Sequence, residues 1–360
     1  MKVKIKTKQI KEVLAITNKI IQKRSPKPIL QCLKFVAEKE LKVYATNLEI
    51  NYINTLTDVE IIEPGEVIIP FVQLQGIIKE SGVDTLTIET KKNNCIIKET
   101  GSKFKLFSLD PEEYPTFSTA SGSCLEVDLD IIKAGINKTI FAATVAHNHY
   151  AISGVLWRCV DGVLTLVATD GHRLAVVNKE IGEDQDIADK IVPRDFLNLV
   201  LKLDAEKVKL MFADNMVFCI ADGVIISSSL IEGKFPKYED VIPKEFNNVV
   251  VFDTKEFERC LKLASILVGE PKKVKFVFTK DTVVMSSAAP EQGESEIICP
   301  ITMSGEDITI YFNPDILKDG IKVLEEKGTL SMSAPEKPVM FSNSSEMNYQ
   351  FVAMPVNDAV

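Results

Sequence analysis

The chain has 360 residues, 46% of them hydrophobic and 26% charged, with a formal net charge of −9. That length excludes one comfortable core and points to two or three domains, and the acidic balance excludes a protein that is basic throughout. Seven cysteines (Cys32, Cys95, Cys124, Cys159, Cys219, Cys260 and Cys299), odd in number, scattered and without a C-x-x-C pair, argue against zinc or redox work and read as reduced, mostly buried apolar residues.

At the start, lysines at positions 2, 4 and 6 leave no apolar run for a signal peptide or membrane span, so a cytoplasmic location is expected. Val3 to Lys6 alternates as a short strand and leads into an amphipathic helix over 7–24. Val67-Ile68-Ile69-Pro70 leads into a second helix over 70–79. The same strand-to-helix pattern returns at Leu125 to Leu129 with a helix over 130–143, and at Lys190-Ile191-Val192-Pro193 with a helix over 193–203. It returns again at Val249 to Phe252 with a helix over 254–267, and at Ile310-Tyr311-Phe312-Asn313-Pro314 with a helix over 314–327. Thr7, Asp130 and Asp253 are expected N-caps, spaced 123 residues apart, because a short side-chain oxygen accepts from free helix N–H groups. Pro70, Pro193 and Pro314, spaced 123 and 121 residues apart, are expected in first helical turns, where proline's missing N–H has no partner to lose.

Short β-branched and aromatic segments fill the intervals, and Leu41-x-Val43-x-Ala45-Thr46-Asn47 matches Leu164-x-Leu166-x-Ala168-Thr169-Asp170. Tyr114-Pro115 likewise matches Phe235-Pro236. The reading is an α+β fold of three repeated domains, 1–122, 123–246 and 247–360, each made of two similar halves with a helix and antiparallel strands. Linkers fall at 120–123 and 244–248.

The six expected helices carry net charges of +4, +1, +1, +1, +1 and −1, together +7, leaving −16 for the rest of the chain. If the helices share one side, that side is basic on an acidic body, which suits a protein that meets nucleic acid on one surface. Exposed helix faces also carry lysine in proteins that bind no nucleic acid.

Enzyme constellations are sparse. No G-x-G-x-x-G follows a strand, no G-x-S-x-G is present, and Gly233-Lys234 lacks the leading glycine and the following Ser or Thr of a phosphate loop. His147, His149 and His172 lie close in sequence and with Asp170 make up the one rival worth weighing, a metal-dependent hydrolase, though no fourth ligand stands at diagnostic spacing. Asp170-Gly171 reads more simply as a turn after a strand. No cofactor or metal is expected.

Leu166-Val167-Ala168-Thr169-Asp170-Gly171-His172-Arg173-Leu174-Ala175 resembles the signature of the bacterial DNA polymerase III β subunits, the sliding clamps. Pro28-Ile29-Leu30, Ile191-Val192-Pro193-Arg194, Glu232-Gly233-Lys234-Phe235-Pro236-Lys237-Tyr238, Val241-Ile242-Pro243 and Phe351-Val352-Ala353-Met354-Pro355-Val356 follow the family's order across the whole chain. The resemblance implies clamp-type domains joined head to tail as a dimeric ring, with helices lining the hole. It implies no chemistry, with processivity conferred on a polymerase that the ring tethers to duplex DNA without sequence preference.

It also implies site residues. Near phosphate it suggests Lys8, Lys11, Lys19, Lys23 and Arg24, with Lys133, Lys138, Arg194, Lys202, Lys255, Arg259 and Lys262 as further candidates. For a pocket that takes short peptides of the polymerase, the clamp loader and repair proteins, it suggests His149, Ile152, Thr169, Gly171, His172, Arg173, Leu174, Pro236, Val241, Val352, Ala353, Met354, Pro355 and Val356. For the ring-closing interface, Ile77, Lys103, Phe104, Lys105 and Leu106 are expected to meet Ile266, Leu267, Glu291, Glu294 and Glu296. His149, Asp240 and the ending after Val356 depart from the usual pattern, which leaves peptide preference open. A clamp-like paralogue serving a specialised system fits the same residues.

Overall fold

The computed structural model describes every residue except 23, 145–149, 183–185, 291, 345–347 and 358–360. In chain order the first third contains β1 (Lys2–Lys6), α1 (Thr7–Thr17), β2 (Cys32–Ala37), β3 (Leu41–Thr46), β4 (Ile50–Leu56), β5 (Glu60–Glu63), β6 (Gly65–Pro70), α2 (Phe71–Glu80), β7 (Thr85–Lys91), β8 (Asn94–Glu99) and β9 (Ser102–Phe107). The middle third contains β10 (Ser123–Asp128), α3 (Leu129–Thr139), β11 (Gly154–Val160), β12 (Val163–Thr169), β13 (Arg173–Glu180), β14 (Ile187–Pro193), α4 (Arg194–Val200), β15 (Lys207–Phe212), β16 (Met216–Ala221) and β17 (Val224–Ser229). The last contains β18 (Asn248–Asp253), α5 (Thr254–Ala264), β19 (Val274–Phe278), β20 (Thr282–Ala289), β21 (Gly293–Pro300), β22 (Thr302–Ser304), β23 (Ile308–Phe312), α6 (Pro314–Ile321), β24 (Lys327–Met332), β25 (Val339–Asn343) and β26 (Tyr349–Ala353).

Each helix follows a lead strand, and each lead strand edges an antiparallel set of four: β1-β7-β8-β9, β6-β2-β3-β4, β10-β15-β16-β17, β14-β11-β12-β13, β18-β24-β25-β26 and β23-β19-β20-β21. The chain separates into two compact units, Met1–Leu129 with Asp195–Leu230, and Asp130–Arg194 with Ile231–Val360. In the first unit β17 pairs with β4, fusing two sets into an eight-stranded sheet; in the second β13 pairs with β26, fusing two more into a sheet of nine strands including β22. Among the described residues, β9 and β21 end their sheets with a free side.

Alternation explains why each strand buries one face. Asn248–Asp253 alternates buried and exposed along its whole length, and the same period makes Phe252, Phe341 and Phe351 one aromatic cluster with Phe257 of α5. The seven cysteines are free thiols, all buried except the half-buried Cys124. No helix of the described residues is long and apolar enough to cross a membrane.

Three expectations about helix ends need correction. Asp253 is an N-cap and accepts from Glu256 N at 2.8 Å, but Thr7 is the first residue of α1, and Asp130 lies inside α3. Their role is taken by backbone: the first N–H of α1, α3 and α5 donates to the carbonyl of Asp84, Glu206 and Glu326, at 2.9, 3.0 and 3.0 Å. Each acceptor lies just before the strand that pairs with the lead strand, so the sheet itself caps the helix. Only Pro314 occupies a first helical turn; Pro70 and Pro193 close their strands one residue earlier. The helices are also shorter than their periodicity suggests. The helix α1 stops at Thr17, after which hydrogen-bonded turns bury Ile20 and Ile21.

Glu89 of β7 is a buried carboxylate, 6% exposed, with Lys98 Nζ at 2.8 Å and Lys91 Nζ at 3.7 Å. The Lys98 hydrogen bond holds its pKa below the ordinary carboxylate value. A lowered folded-state pKa contributes stability above the unfolded value, near about 4.3, that is lost as pH falls through the folded one. Lys98→Ala is expected to cost about 2 kcal/mol at neutral pH, the lower end for a charged hydrogen bond because solvent shares the lysine's charge. The loss should shrink below about pH 4, which urea unfolding across pH measures.

Candidate functional site

The signature decapeptide folds as β12, a turn, and β13. Thr169 Oγ1 donates to Arg173 O at 2.7 Å and accepts from Gly171 N at 3.1 Å, while Asp170 Oδ1 accepts from the N–H groups of His172 and Arg173, both at 3.0 Å. These bonds force the intervening residue into the left-handed region, and Gly171 has φ of 88°. The first third repeats the turn: Thr46 Oγ1 donates to Ile50 O, Leu48 N donates to Thr46 Oγ1, and Asn47 Oδ1 accepts from Glu49 and Ile50. Leu48 takes the glycine's place at φ 80°. The turn is therefore a property of the repeat, and the side chains it carries distinguish the second copy.

Arg173 is the centre of that distinction. Its guanidinium, 14% exposed, donates to Asp170 Oδ2 (3.0 Å), Asp319 Oδ2 (2.9 Å), Ile316 O (3.3 Å) and Phe141 O (2.9 Å), and lies 5.4 Å from the Phe141 ring centroid. Its donors are engaged within the protein, tying the turn to α6 and to the segment after α3.

Beside the turn lies a cavity of about 180 Å³. Of the expected residues, Ile152, Thr169, Gly171, His172, Arg173, Leu174, Pro236, Val241, Val352 and Met354 line it. Leu174 and Val352, opposite one another across the β13–β26 ladder and 2% and 3% exposed, form its floor on a core of Leu156, Val167, Val176, Ile191, Phe235 and Met340. Val352 is thus both core and lining. Val241 and Met354 are exposed at the rim. His149 lies outside the described residues. Ala353 is fully buried in the ladder, and Pro355 and Val356 lead away from the cavity, with Val356 N bonded to Tyr311 O at 2.8 Å; these three do not line it.

Lys237 and Tyr238 do line it, and sequence reasoning missed them. The signal was present in Phe235-Pro236-Lys237-Tyr238, where a short 3₁₀ turn over Tyr238–Asp240 follows the proline and packs Tyr238 edge-on to Phe235 at 6.5 Å. Burial raises the Tyr238 pKa, with Glu239 adding to it. Arg158 braces the same turn, bonding Asp189 at 2.6 and 2.9 Å and reaching Glu239 at 3.5 Å, and holds the Asp189 pKa below its ordinary value.

Of the expected phosphate-facing residues, Lys8, Lys11, Lys19, Arg24, Lys202, Lys255, Arg259 and Lys262 are exposed; Lys23 lies outside the described residues. Among the described residues, Lys11, Lys19, Arg24 and Lys255 have no ion pair, whereas Lys8 faces Glu12, Arg259 is bidentate to Glu256, and Lys262 pairs with Glu258. Lys133, Lys138 and Arg194 are half-buried; Lys138 stands over the Tyr349 ring at 5.6 Å and Arg194 donates to Ala143 O at 3.4 Å. Lys202 Nζ donates to Ala15 O on α1 at 3.4 Å.

At the expected interface, Lys103, Lys105, Ile266, Glu294 and Glu296 are exposed, and Ile77, Phe104, Leu106 and Leu267 half-buried; Glu291 lies outside the described residues. Lys98 turns inward to Glu89. The hydrolase alternative rests on His147 and His149, which also lie outside, while Asp170 is engaged by the turn and by Arg173.

Six copies of a strand-helix-sheet unit and an apolar docking hollow define a repeat-built clamp-type protein. Family models for the DNA polymerase III beta subunit match in order: the N-terminal domain over residues 1–118, the central domain over 126–237 and the C-terminal domain over 239–357. The beta sliding clamp of Pseudomonas aeruginosa is 26% identical over 347 residues, 94% of each chain, and that of Bacillus subtilis is 26% identical over 376 residues, 99% of each. Among solved structures, the Pseudomonas aeruginosa DNA polymerase III subunit beta superposes with a TM-score of 0.93 at 24% identity over 99% of this chain and 100% of its own. A Pseudomonas aeruginosa DnaN sliding clamp bound to griselimycin also gives 0.93 at 24% identity, over 99% of each chain. The chain belongs to the DNA polymerase III beta subunit family, whose members are processivity subunits without catalysis of their own.

Proposed function

We infer that two copies of this chain close head to tail into a ring around duplex DNA, acting in the cytoplasm as the sliding clamp that tethers the replicative polymerase. The three repeats, 1–122, 123–246 and 247–360, give such a ring six domains. The observation that carries this is the repeated junction between strand sets. At β4–β17, Thr55 N bonds Gly223 O and Ser229 N bonds Glu49 O, bracketing the opposed residues Asn51 and Ser227. At β13–β26, Asn178 N bonds Asn348 O and Met354 N bonds His172 O, bracketing Leu174 and Val352. Those are the same positions of the repeat. The third such junction has its two halves on β9 and β21 of one chain, so a second copy supplies the missing strand to each.

Counted through the repeat, Lys105 corresponds to Ser227 and Val352, and Glu294 to Asn51 and Leu174. Lys105 then faces Glu294 of the other copy and Lys103 faces Glu296. Three junctions of one geometry carry three chemistries: a hydrogen bond from Asn51 to Ser227 at 3.3 Å, an apolar pair, and an ionic pair. A strand that finds the wrong junction would bury a lysine against leucine, which specifies the order of assembly.

A ring holds DNA by topology, so weak phosphate contacts suffice and let it slide; the unpaired Lys11, Lys19, Arg24 and Lys255 suit that role better than Arg259 and Lys262, whose charges are matched locally. The cavity at Leu174 and Val352 suits a short apolar peptide segment of the polymerase, the clamp loader or a repair protein, with Lys237 and His172 at its edge for an acidic neighbour. Loading on nicked circular DNA tests the reading: protein retained on circles at about 0.2 M salt should leave within minutes of linearisation, whereas backbone binding, which weakens about 10³-fold or more over such a salt range, would ignore the cut.

A further inference from the structure

Phe107 ends β9 with 85% of its surface in solvent, the most exposed of the large hydrophobic side chains described. The ladder holds it opposite Asn94, and Ser108 Oγ accepts from Ile68 N, so the side chain projects from a fixed backbone. A fully exposed phenylalanine forgoes a large burial gain, and one set rigidly on a free strand edge is the form an interface anchor takes.

Its place in the repeat identifies the counterpart. Phe107 corresponds to Ser229 and Met354, whose N–H groups bond the carbonyls of Glu49 and His172 in the turn preceding the opposite strand. On β21 that turn is the hairpin after β20, where Gln292 falls opposite Phe107. Met354 uses this position to line the apolar cavity beside β13. Beside β21 the same face of the sheet bears an open cavity of about 1160 Å³; Gly269, Pro271, Pro290 and Gln292 line its hairpin end, and the charged Lys273, Lys275, Glu294 and Glu296 line the rest. The wall is firm: Gly269 N bonds Ala288 O at 3.3 Å, and a Cβ on Gly269 would stand 3.0 Å from Pro290 Cδ.

We propose that Phe107 of one copy seats in this cavity of the other, against Pro290 and the hairpin at Gln292, as the apolar anchor beside the ionic pairs. The inference rests on the β9–β21 closure above. Proline rings and glycine backbone offer an aromatic ring a flat surface that excludes water without demanding a hydrogen bond. Lysine and glutamate pairs alone give register and encounter rate; a desolvated aromatic supplies residence.

The test uses the full chain with p-benzoylphenylalanine at position 107, irradiated as the dimer, together with Phe107→Ala and, as a control beyond the paired strand, Leu109→Ala. Cross-links should map to Gly269, Glu270, Pro271, Pro290 and Gln292 in a product migrating as a dimer. Phe107→Ala should raise the dimer dissociation constant about 10- to 100-fold, and Leu109→Ala less than about threefold. Cross-links elsewhere, or unchanged affinity in Phe107→Ala, would overturn the seat while leaving the closure intact. A chain that stays monomeric whatever occupies position 107 would overturn the closure itself.

Discussion

On the proposed β9–β21 closure, reversing Glu294 and Glu296 together to lysine should weaken the dimer about 10³-fold, near 4 kcal/mol, because each would then meet Lys105 or Lys103 of the other copy across a strand pair. The monomer should fold normally, since both carboxylates are exposed. Combining the reversal with Lys103→Glu and Lys105→Glu should restore affinity to within about tenfold, as the pairs are only exchanged. Salt separates this from general damage. Wild-type association should weaken as salt rises, whereas the doubly reversed Glu294 and Glu296 variant should associate better, because screening removes repulsion instead of attraction. Sedimentation equilibrium at two ionic strengths reads both effects. A variant that dimerises like wild type would mean that β9 and β21 do not meet in this register.

Arg173→Ala should cost about 3–4 kcal/mol, because the guanidinium is nearly enclosed and its loss leaves Asp170, Asp319 and two carbonyl oxygens short of a donor. In a unit of this size that lowers the melting temperature by about 10 °C. Arg173→Lys should recover only a minor part, since one ammonium cannot reach four acceptors that a planar fork spans. Hydrogen exchange distinguishes a local from a global loss. Amides of residues 170–174 should exchange faster, while the matching turn at Thr46–Ile50, which has no arginine to lose, should not change. The pocket floor should persist in both variants, so peptide affinity falls through the disordering of Gly171 and His172 rather than through a lost contact.

Much of this molecule is legible in its sequence because the repeat reports itself three times. A period near 122 residues places every helix start within one residue and every lead strand within three, and Asp253 caps its helix as expected. The misplacements of Thr7 and Asp130 share one cause: the acceptor is a carbonyl of a distant strand, and a sequence carries no mark of which carbonyl will arrive. Helix lengths failed for a related reason. Periodicity continues past Thr17, yet the helix ends there and hydrogen-bonded turns bury Ile20 and Ile21. In the pocket, the residues of the decapeptide turn line the cavity, whereas Ala353, Pro355 and Val356 of the last motif do not, and Lys237 and Tyr238, inside a motif and brought to the cavity by a 3₁₀ turn, were missed. The engagement of Arg173 was invisible, since Phe141, Ile316 and Asp319 have no sequence relation to it.

The two seams within one chain, Asn51 with Ser227 and Leu174 with Val352, are closed by strands that a covalent tether keeps at high effective concentration. The ionic seam proposed between copies has no such tether, and its attraction is the kind that dissolved potassium and chloride weaken. On that closure, ionic strength acts on the two seams between copies and not on those within each: it eases the parting of one molecule from the other while each molecule's own joints stay shut.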